Sequence, residues 1–317
     1  MISVVYSYNE TSEKYILYNS EHKSKIMGNA EYTALYFDSE ISMLTGFFDL
    51  IEELDADVII GYNIYMFDFK YMSRRIGYYP RIRLKGSRIK HKEVQIKDLS
   101  NYLSTNILIP GRVTIDLYSY IKTLNLSKNS LDYVSKAFLN EQKIDLPYTK
   151  MFELLHADDA ESLKVVADYC INDSVLTLRL FDVLHLWIQI KEISNISHIN
   201  IANIFDTGQS AKYQNLLHYY CFNSNIIVNK DKKTDITNYE GAKVLNPDPG
   251  LYNYCTMLDF TSLYPSVIIT HNVCYTTFKG VVKYDYDIKD HYEEDEDNHY
   301  IFLDSVKYIY TKSPIWV

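Results

Sequence analysis

Three aspartates stand in settings where a carboxylate can do chemistry. Asp259 follows the apolar pair Met257-Leu258 and opens the string Asp-Phe-Thr-Ser-Leu-Tyr-Pro-Ser over residues 259–266. Apolar residues before it read as the end of a buried strand. An acid at such an end presents its carboxylate to a cleft, where hard divalent cations prefer oxygen ligands. Pro265 fits the first turn of a following helix. The N–H groups before it are then free to hold phosphate oxygens. A surface acid beside a turn is the plainer reading of Asp259 alone. Asp68 closes Asn63-Ile-Tyr-Met-Phe-Asp68, just after the apolar run Val58-Ile59-Ile60. It reads either as a cap for the next helix or as an acid at a strand end. Asp173 interrupts a stripe of Leu163, Val166, Cys170, Thr177, Leu180 and Leu184. A charge there needs a partner, a metal or a water-filled cleft. Tyr169 lies one turn earlier. A different helix register, with Val165, Tyr169 and Leu176 inward, leaves Asp173 outside.

The elements that position these acids alternate. Residues 2–7 and 14–18 read as two strands of a hairpin, 40–54 as a helix, 58–60 as a buried strand and 68–76 as a helix. Residues 77–110 look irregular, with strands near 82–84 and 94–97. Residues 113–117 are a strand, and helices are expected at 119–124, 130–139 and 150–155, with a long one over 159–190. Strands alternating with helices give a mixed α/β fold. Residues 191–236 read as mainly helical with an extended piece at 226–228. The Gly- and Pro-containing stretch 237–256 reads as a connector. Residues 285–298 are expected to be an acidic loop and 300–310 a strand.

Composition narrows the class. The 317 residues suffice for about two domains, and 47% are hydrophobic, which allows a sizeable core. The four cysteines form no Cys-x-x-Cys pair, so neither a zinc site nor a disulfide framework is indicated. The first residues given lack the long apolar core of a signal peptide, and no apolar run is long enough to span a bilayer. The formal charge is −9, but residues 281–304 alone carry nine acids against two lysines. Residues 70–97 carry ten Lys or Arg against Glu93 alone, with Tyr71, Tyr78 and Tyr79 among them. Such a run is either a solvated face or a nucleic-acid surface, and Arg88 within it is a candidate DNA contact.

The strings above resemble one family. Asp259-x-x-Ser-Leu-Tyr-Pro-Ser266 is similar to the first palm motif of family B DNA polymerases. Asn63-x-x-x-Phe67-Asp68 resembles that family's second exonuclease motif, and Tyr169-x-x-x-Asp173 its third. Gly111-Arg-Val-Thr-Ile-Asp-Leu117 is similar to the stretch between them, and Tyr239-Glu-Gly241-Ala242 to the Tyr-x-Gly-Gly linker, with Ala in the second Gly place. The resemblance implies an RNase H-like 3′–5′ exonuclease domain over 1–190, a helical connector over 191–236 and the N-terminal part of a polymerase palm over 237–317. It implies DNA-templated DNA synthesis with two magnesium ions in each active site. Asp259 would bridge two ions, the Phe260 carbonyl would complete one shell, and Ser262 with the N–H groups of Leu263 and Tyr264 would hold the triphosphate. Tyr264 would exclude a 2′-hydroxyl. Asp68 and Asp173 would bind the proofreading metals, with Tyr169 orienting the water. Asn63, Tyr239 and Gly241 would contact DNA. The implied partners are primer-template DNA, deoxynucleoside triphosphates and a processivity factor, with no membrane.

The family's Asp-x-Glu has its letters in Asp38-Ser39-Glu40, but these precede helix 40–54 and read as a cap. The motif itself is expected upstream of Met1, and the apolar last residues suggest a chain that stops within a domain. A partial chain of this kind is expected to be inactive alone. Asp55 and Asp57 read as solvated turn residues, and Glu293 to Asp297 as a solvated loop. The alternatives are a stand-alone 3′–5′ exonuclease and a non-catalytic nucleic-acid-binding fragment. The setting implied is intracellular, at a nuclear or cytoplasmic replication site. Compact loops and skewed composition suggest a large DNA virus as source.

Overall fold

The computed structural model describes residues 1–20, 26, 31–79, 82–98, 105–204, 207–227, 244–274 and 277–312. The chain forms two compact units, Met1–Asn223 and Ser224–Val317.

The first unit is mixed α/β, as the alternating pattern requires. β1 (Ile2–Tyr8) and β2 (Thr11–Asn19) form the expected antiparallel hairpin, and β3 (Thr33–Phe37) adds to β2 in parallel. α1 (Glu40–Leu54) starts at Ser39, whose hydroxyl accepts the Ser42 N–H while the Ser42 hydroxyl accepts that of Ser39. Asp38-Ser39-Glu40 is therefore a cap, as expected. Glu40 accepts the Arg75 guanidinium, with Nε at 2.8 Å, and ties α1 to α2 (Asp68–Gly77).

β4 (Val58–Gly61) pairs in parallel with β7 (Val113–Asp116), and the register sets Gly61 opposite Asp116. β5 (Gln95–Asp98) and β6 (Thr105–Leu108) form a small antiparallel pair. β3 and β6 escaped the sequence reading, and no strand forms at 82–84. Thr-Asn-Ile-Leu has no alternation. β6 becomes a strand because β5 supplies its ladder and the Tyr65 carbonyl accepts the Thr105 N–H at 2.8 Å.

α3 (Leu117–Ile121), a 3-10 turn (Lys122–Leu124), α4 (Leu131–Leu139) and α5 (Tyr148–Ala157) lead to α6 (Ala160–Val183). The single long helix expected over 159–190 is two helices. His185 adopts a left-handed φ of 50°, and α7 (Leu186–Ser197) starts after it. The break returns Leu186 and Ile190 to the cluster that holds Leu180, Ile115 and Ile121. Apolar burial at these two positions outweighs continuity of the helix. α6 packs on β1, β2 and β4. α8 (Gln209–Asn223) completes the unit. Residues 226 and 227, expected to be extended, form no regular element.

In the second unit, residues 244–262 have no strand or helix, and α9 runs Leu263–His271. A four-stranded antiparallel sheet has the order β8 (Phe278–Lys283), β11 (Val306–Thr311), β10 (Asn298–Leu303), β9 (His291–Glu294). The strand-like stretch 300–310 forms a hairpin, turned at Asp304 and Ser305 with φ of 52° and 60°. One expectation is corrected here. Part of the acidic loop is the edge strand β9, where exposed charge suits an edge. Among the described residues no helix is long and apolar enough to cross a membrane.

Gly111 tests this framework. Its φ is +87°, and a Cβ there would lie 2.7 Å from the Cβ of Arg88. Gly111→Ala is expected to lower stability by about 1–3 kcal/mol. The check is urea denaturation of the purified chain, which should show a lower midpoint at an unchanged slope.

Candidate functional site

Asp116 ends β7 and is 2% exposed. Its carboxylate accepts three backbone N–H groups: Asn63 at 2.7 Å, Tyr65 at 3.1 Å and Tyr118 at 3.0 Å. Burial pushes its pKa up against these bonds, which favour the charged form. The bonds fix the loop from Gly61 to Asp68. Asn63 is held there with a left-handed φ of 62°, which asparagine tolerates better than most residues. Beside it an open cleft of about 510 Å³ is lined by Tyr62, Asn63, Tyr118, Lys128, Ser130 and Leu131, among others. The Oδ1 atoms of Asn63 and Asn129, both at this cleft, are buried without a hydrogen-bond partner.

Asp68 opens α2 at the end of this loop. It is exposed on one side, yet the protein packed around its carboxyl, with the charge of Asp116, pushes its pKa up to about 6. Asp173 projects from α6, where the stripe placed it. Its Oδ2 meets Lys143 Nζ at 2.7 Å, and its Oδ1 is buried with no partner. Both acids act on the Cys170 thiol, which burial raises to about 11. Asp68 and Asp173 come from separate elements, and both raise the Cys170 thiol through space.

Lys143 was not foreseen. It lies 30 residues before its partner, and nothing in the local spacing links them. The need of Asp173 for a counter-charge was the only signal. Lys143 Nζ also sits 4.6 Å from the centroid of the Tyr169 ring. Burial opposes the Lys143 charge, but hydrogen bonds to Asp173 and Tyr169 outweigh it and hold its pKa above the ordinary value. Burial still raises Asp173, because desolvation falls on the carboxylate whose second oxygen is unpaired. An orphaned buried oxygen and a nearby acid that ionises reluctantly fit a divalent cation, for which Asp68 and Asp173 would supply oxygen ligands. Among the described residues no group of three or more acids, His or Cys assembles to hold one.

The other site residues stand differently. Asp259 lies in an exposed segment without strand structure, and Met257 and Leu258 are 94% and 90% exposed. The expected buried strand is absent. Its apolar pair has no surface to bury against, and a lone strand leaves its N–H and C=O groups unpaired. Phe260 and Tyr264 are each 75% exposed, and Leu263 is exposed as well. Ser262 precedes α9 with a left-handed φ of 53°, and Pro265 falls in the first turn as expected. Tyr239 and Gly241 lie outside the described residues.

Arg88 is not a free cation. It bridges Asp55, with Nε–Oδ1 at 2.6 Å, and Asp57. Arg112, buried, also reaches Asp55 at 3.0 Å. Asp55 and Asp57 are thus paired rather than merely solvated. Arg75, Arg83 and Lys85 of the basic run also face acids: Glu40, Glu93 and Asp49. Four of that run's ten cations are thus paired with acids.

Comparison with known proteins finds two family models along the chain. The description "DNA polymerase family B" matches residues 199–313, and "DNA polymerase family B, exonuclease domain" matches residues 1–134. The chain is 33% identical over 273 residues to the DNA polymerase delta catalytic subunit of Plasmodium falciparum (isolate K1 / Thailand), covering 82% of this chain and 25% of that protein. It is 32% identical over 294 residues to DNA polymerase 120R of Invertebrate iridescent virus 3, covering 84% and 25%. It is 34% identical over 258 residues to the DNA polymerase catalytic subunit of Saimiriine herpesvirus 2 (strain 11), covering 78% and 26%. The chain spans about a quarter of the length of these relatives.

The raised pKa of Asp68 has a consequence for stability. The folded chain holds that proton more tightly than the unfolded chain, so the contribution of Asp68 to stability falls as pH rises from 3.8 to about 6. In EDTA, Asp68→Asn is expected to flatten this part of the stability–pH profile and to leave the variant more stable than the unaltered chain at pH 7. Urea midpoints between pH 4 and pH 7.5 measure it. Parallel profiles would show that Asp68 ionises as it does in water.

Proposed function

This chain belongs to DNA polymerase family B, and from that premise we propose that it contributes the proofreading site and the first palm motif to a replicative DNA polymerase. The carrying observation is the buried, unpartnered Oδ1 of Asp173 beside Lys143 and Tyr169, with Asp68 at the start of α2. Divalent ions, when bound, would supply charge neutralisation and an activated water or 3′-oxygen. Asp68 and Asp173 would hold them in the first unit.

The residues of the chain do the rest. The cleft beside Asn63 receives the frayed 3′ end, with the Tyr62 and Tyr118 rings for base contact. Their centroids are 5.9 Å apart. Tyr169 and Lys143 stand at Asp173 and orient the attacking water. Asp116 keeps the Asn63–Asp68 loop in place. In the second unit Asp259 is the metal-binding acid for synthesis, and Ser262, Leu263 and Tyr264 at the start of α9 hold the triphosphate. The Phe260 carbonyl would offer that metal a further oxygen, and the ring of Tyr264 would exclude a 2′-hydroxyl. Tyr239 and Gly241 are proposed as template contacts from their motif alone.

Primer-template DNA and deoxynucleoside triphosphates are the partners this reading requires. Two of the relatives above are named as catalytic subunits, which favours accessory subunits, a processivity factor among them. An intracellular replication site is the setting proposed.

The two activities should separate. In the complete enzyme, Asp259→Asn is expected to abolish primer extension, by at least about a thousandfold, while 3′–5′ trimming persists. Asp68→Ala with Asp173→Ala should do the reverse. Extension and trimming of one labelled primer-template measure both. Extension at the normal rate in Asp259→Asn would refute the palm assignment, and continued removal of mismatched ends in the double variant would refute the proofreading site.

Residues 1–317 alone are expected to do neither reaction in magnesium or manganese, since two converging acids hold metal more weakly than a full set. They should still bind single-stranded DNA weakly, and less so as salt rises. Magnesium-dependent trimming that vanishes in Asp38→Ala would show that Asp38-Ser39-Glu40 takes part after all.

A further inference from the structure

α2 has two unlike faces, and packing explains only one. Phe69, Met72 and Ile76 are buried against Leu44, Phe48 and Ile51 of α1. Phe67, Tyr71, Arg74 and Tyr78 recur at spacings of four, three and four, which puts them on one side of the helix. Phe67, Tyr71 and Tyr78 are 71%, 57% and 74% exposed. The solvated side of a helix ordinarily carries charged and polar chains. Here it carries aromatic rings around an exposed arginine, and Arg74 makes no ion pair among the described residues. The rings are not left loose. Glu40 accepts the Tyr71 hydroxyl at 3.3 Å and also the Arg75 guanidinium, which itself sits 5.7 Å from the centroid of the Tyr78 ring.

We propose that this face of α2 is a track for the single-stranded 3′ segment of a DNA strand on its way to Asp68, with bases stacking on Tyr71 and Tyr78 and a phosphate on Arg74. The proposal rests on the reading of Asp68 and Asp173 as a 3′–5′ hydrolytic site and adds a binding surface to it. Spacing favours a single strand over a duplex. The helical rise sets Phe67 and Tyr71 about 6 Å apart along the axis, and Tyr71 and Tyr78 about 10 Å apart. Bases in a duplex stack about 3.4 Å apart and hide their faces. A strand with its bases spread can lay them on these rings, and stacking of this kind is indifferent to sequence. Charge favours a polyanion, because Arg74 stands between the rings. Place favours the 3′ end, because the stripe begins at Phe67, next to Asp68.

The test is fluorescence anisotropy of a short 5′-labelled oligothymidine with the purified chain at low salt. Tyr71→Ala with Tyr78→Ala is expected to weaken binding by roughly tenfold or more, while Tyr71→Phe with Tyr78→Phe stays within about twofold. Arg74→Gln should reduce the slope of log affinity against log salt by about one. Binding of a duplex of equal length should not change in the Ala pair. Abasic positions near the 3′ end should weaken the unaltered chain and add nothing in the Ala pair. All four side chains are exposed, so circular dichroism and urea midpoints should match the unaltered chain. Unchanged oligothymidine affinity in the Ala pair, an equal loss for duplex, or no binding by the unaltered chain would overturn the track. Trimming by the complete enzyme with Asp68→Ala tests the hydrolytic reading apart from this. Loss of trimming there, with unchanged binding in the Ala pair, removes the track and leaves the site standing.

Discussion

A buried carboxylate accepting three backbone N–H groups organises the first unit. Asp116 lies where β7 ends, opposite Gly61 at the end of β4. Parallel pairing delivers the two strand ends together, but it does not shape the chain beyond them. The bonds from Asn63 and Tyr65 do that, while the bond from Tyr118 starts α3. A carboxylate so enclosed is costly to bury, and each N–H it accepts offsets part of that cost. One residue therefore sets the conformation of Asn63, the entry of α2 and the place of Asp68. Gly61 is required alongside it, since a Cβ there would fall 2.2 Å from the Ile64 side chain.

Ion pairs brace the segments around α1. Arg88, Arg112, Arg75, Arg83 and Lys85 each meet an acid. All but Arg83 reach acids of α1 or of the turn after it, and Arg83 meets Glu93 within the segment that follows α2. Asp173 is half-satisfied, with Lys143 on one oxygen and nothing on the other. Asp68 has no salt bridge among the described residues, and burial makes its ionisation reluctant. Asp173, with a spare oxygen next to a cation and a tyrosine, is poised for a ligand rather than satisfied by the fold. Perturbed acids of this kind gather at functional sites.

The second unit is built on other terms. Its sheet has one register shift, between Ile309 and Tyr310, and His299, Phe302, Thr277 and Thr311 are buried in or beside it. The motif segment is not folded into that sheet. Asp259, Phe260 and Tyr264 project from an exposed stretch and the start of α9, and Ser262 is held in a left-handed conformation that a non-glycine residue seldom adopts. Local chemistry sets the helix and its proline. The strand expected before Asp259 needs partners that the described residues do not supply.

The sequence by itself determined the alternation of elements in the first unit, the caps, the amphipathic stripe that holds Asp173 and the motif order that marks the family. These are local properties: hydrophobic period, turn residues and short strings are written within a few residues of where they act. Tertiary structure alone decided the rest. It chose the break at His185, because burial of Leu186 and Ile190 is a long-range gain. It made strands of β3 and β6, whose ladders are supplied by β2 and β5 rather than by any alternation of their own. It matched Lys143 to Asp173 and Arg88 to Asp55 and Asp57, since an ion pair depends on distance in space and leaves no trace in spacing. It also left the aromatic stripe of α2 uncovered, because a helical period tells which residues share a side, and only the packing of the other elements tells which side stays open to a ligand.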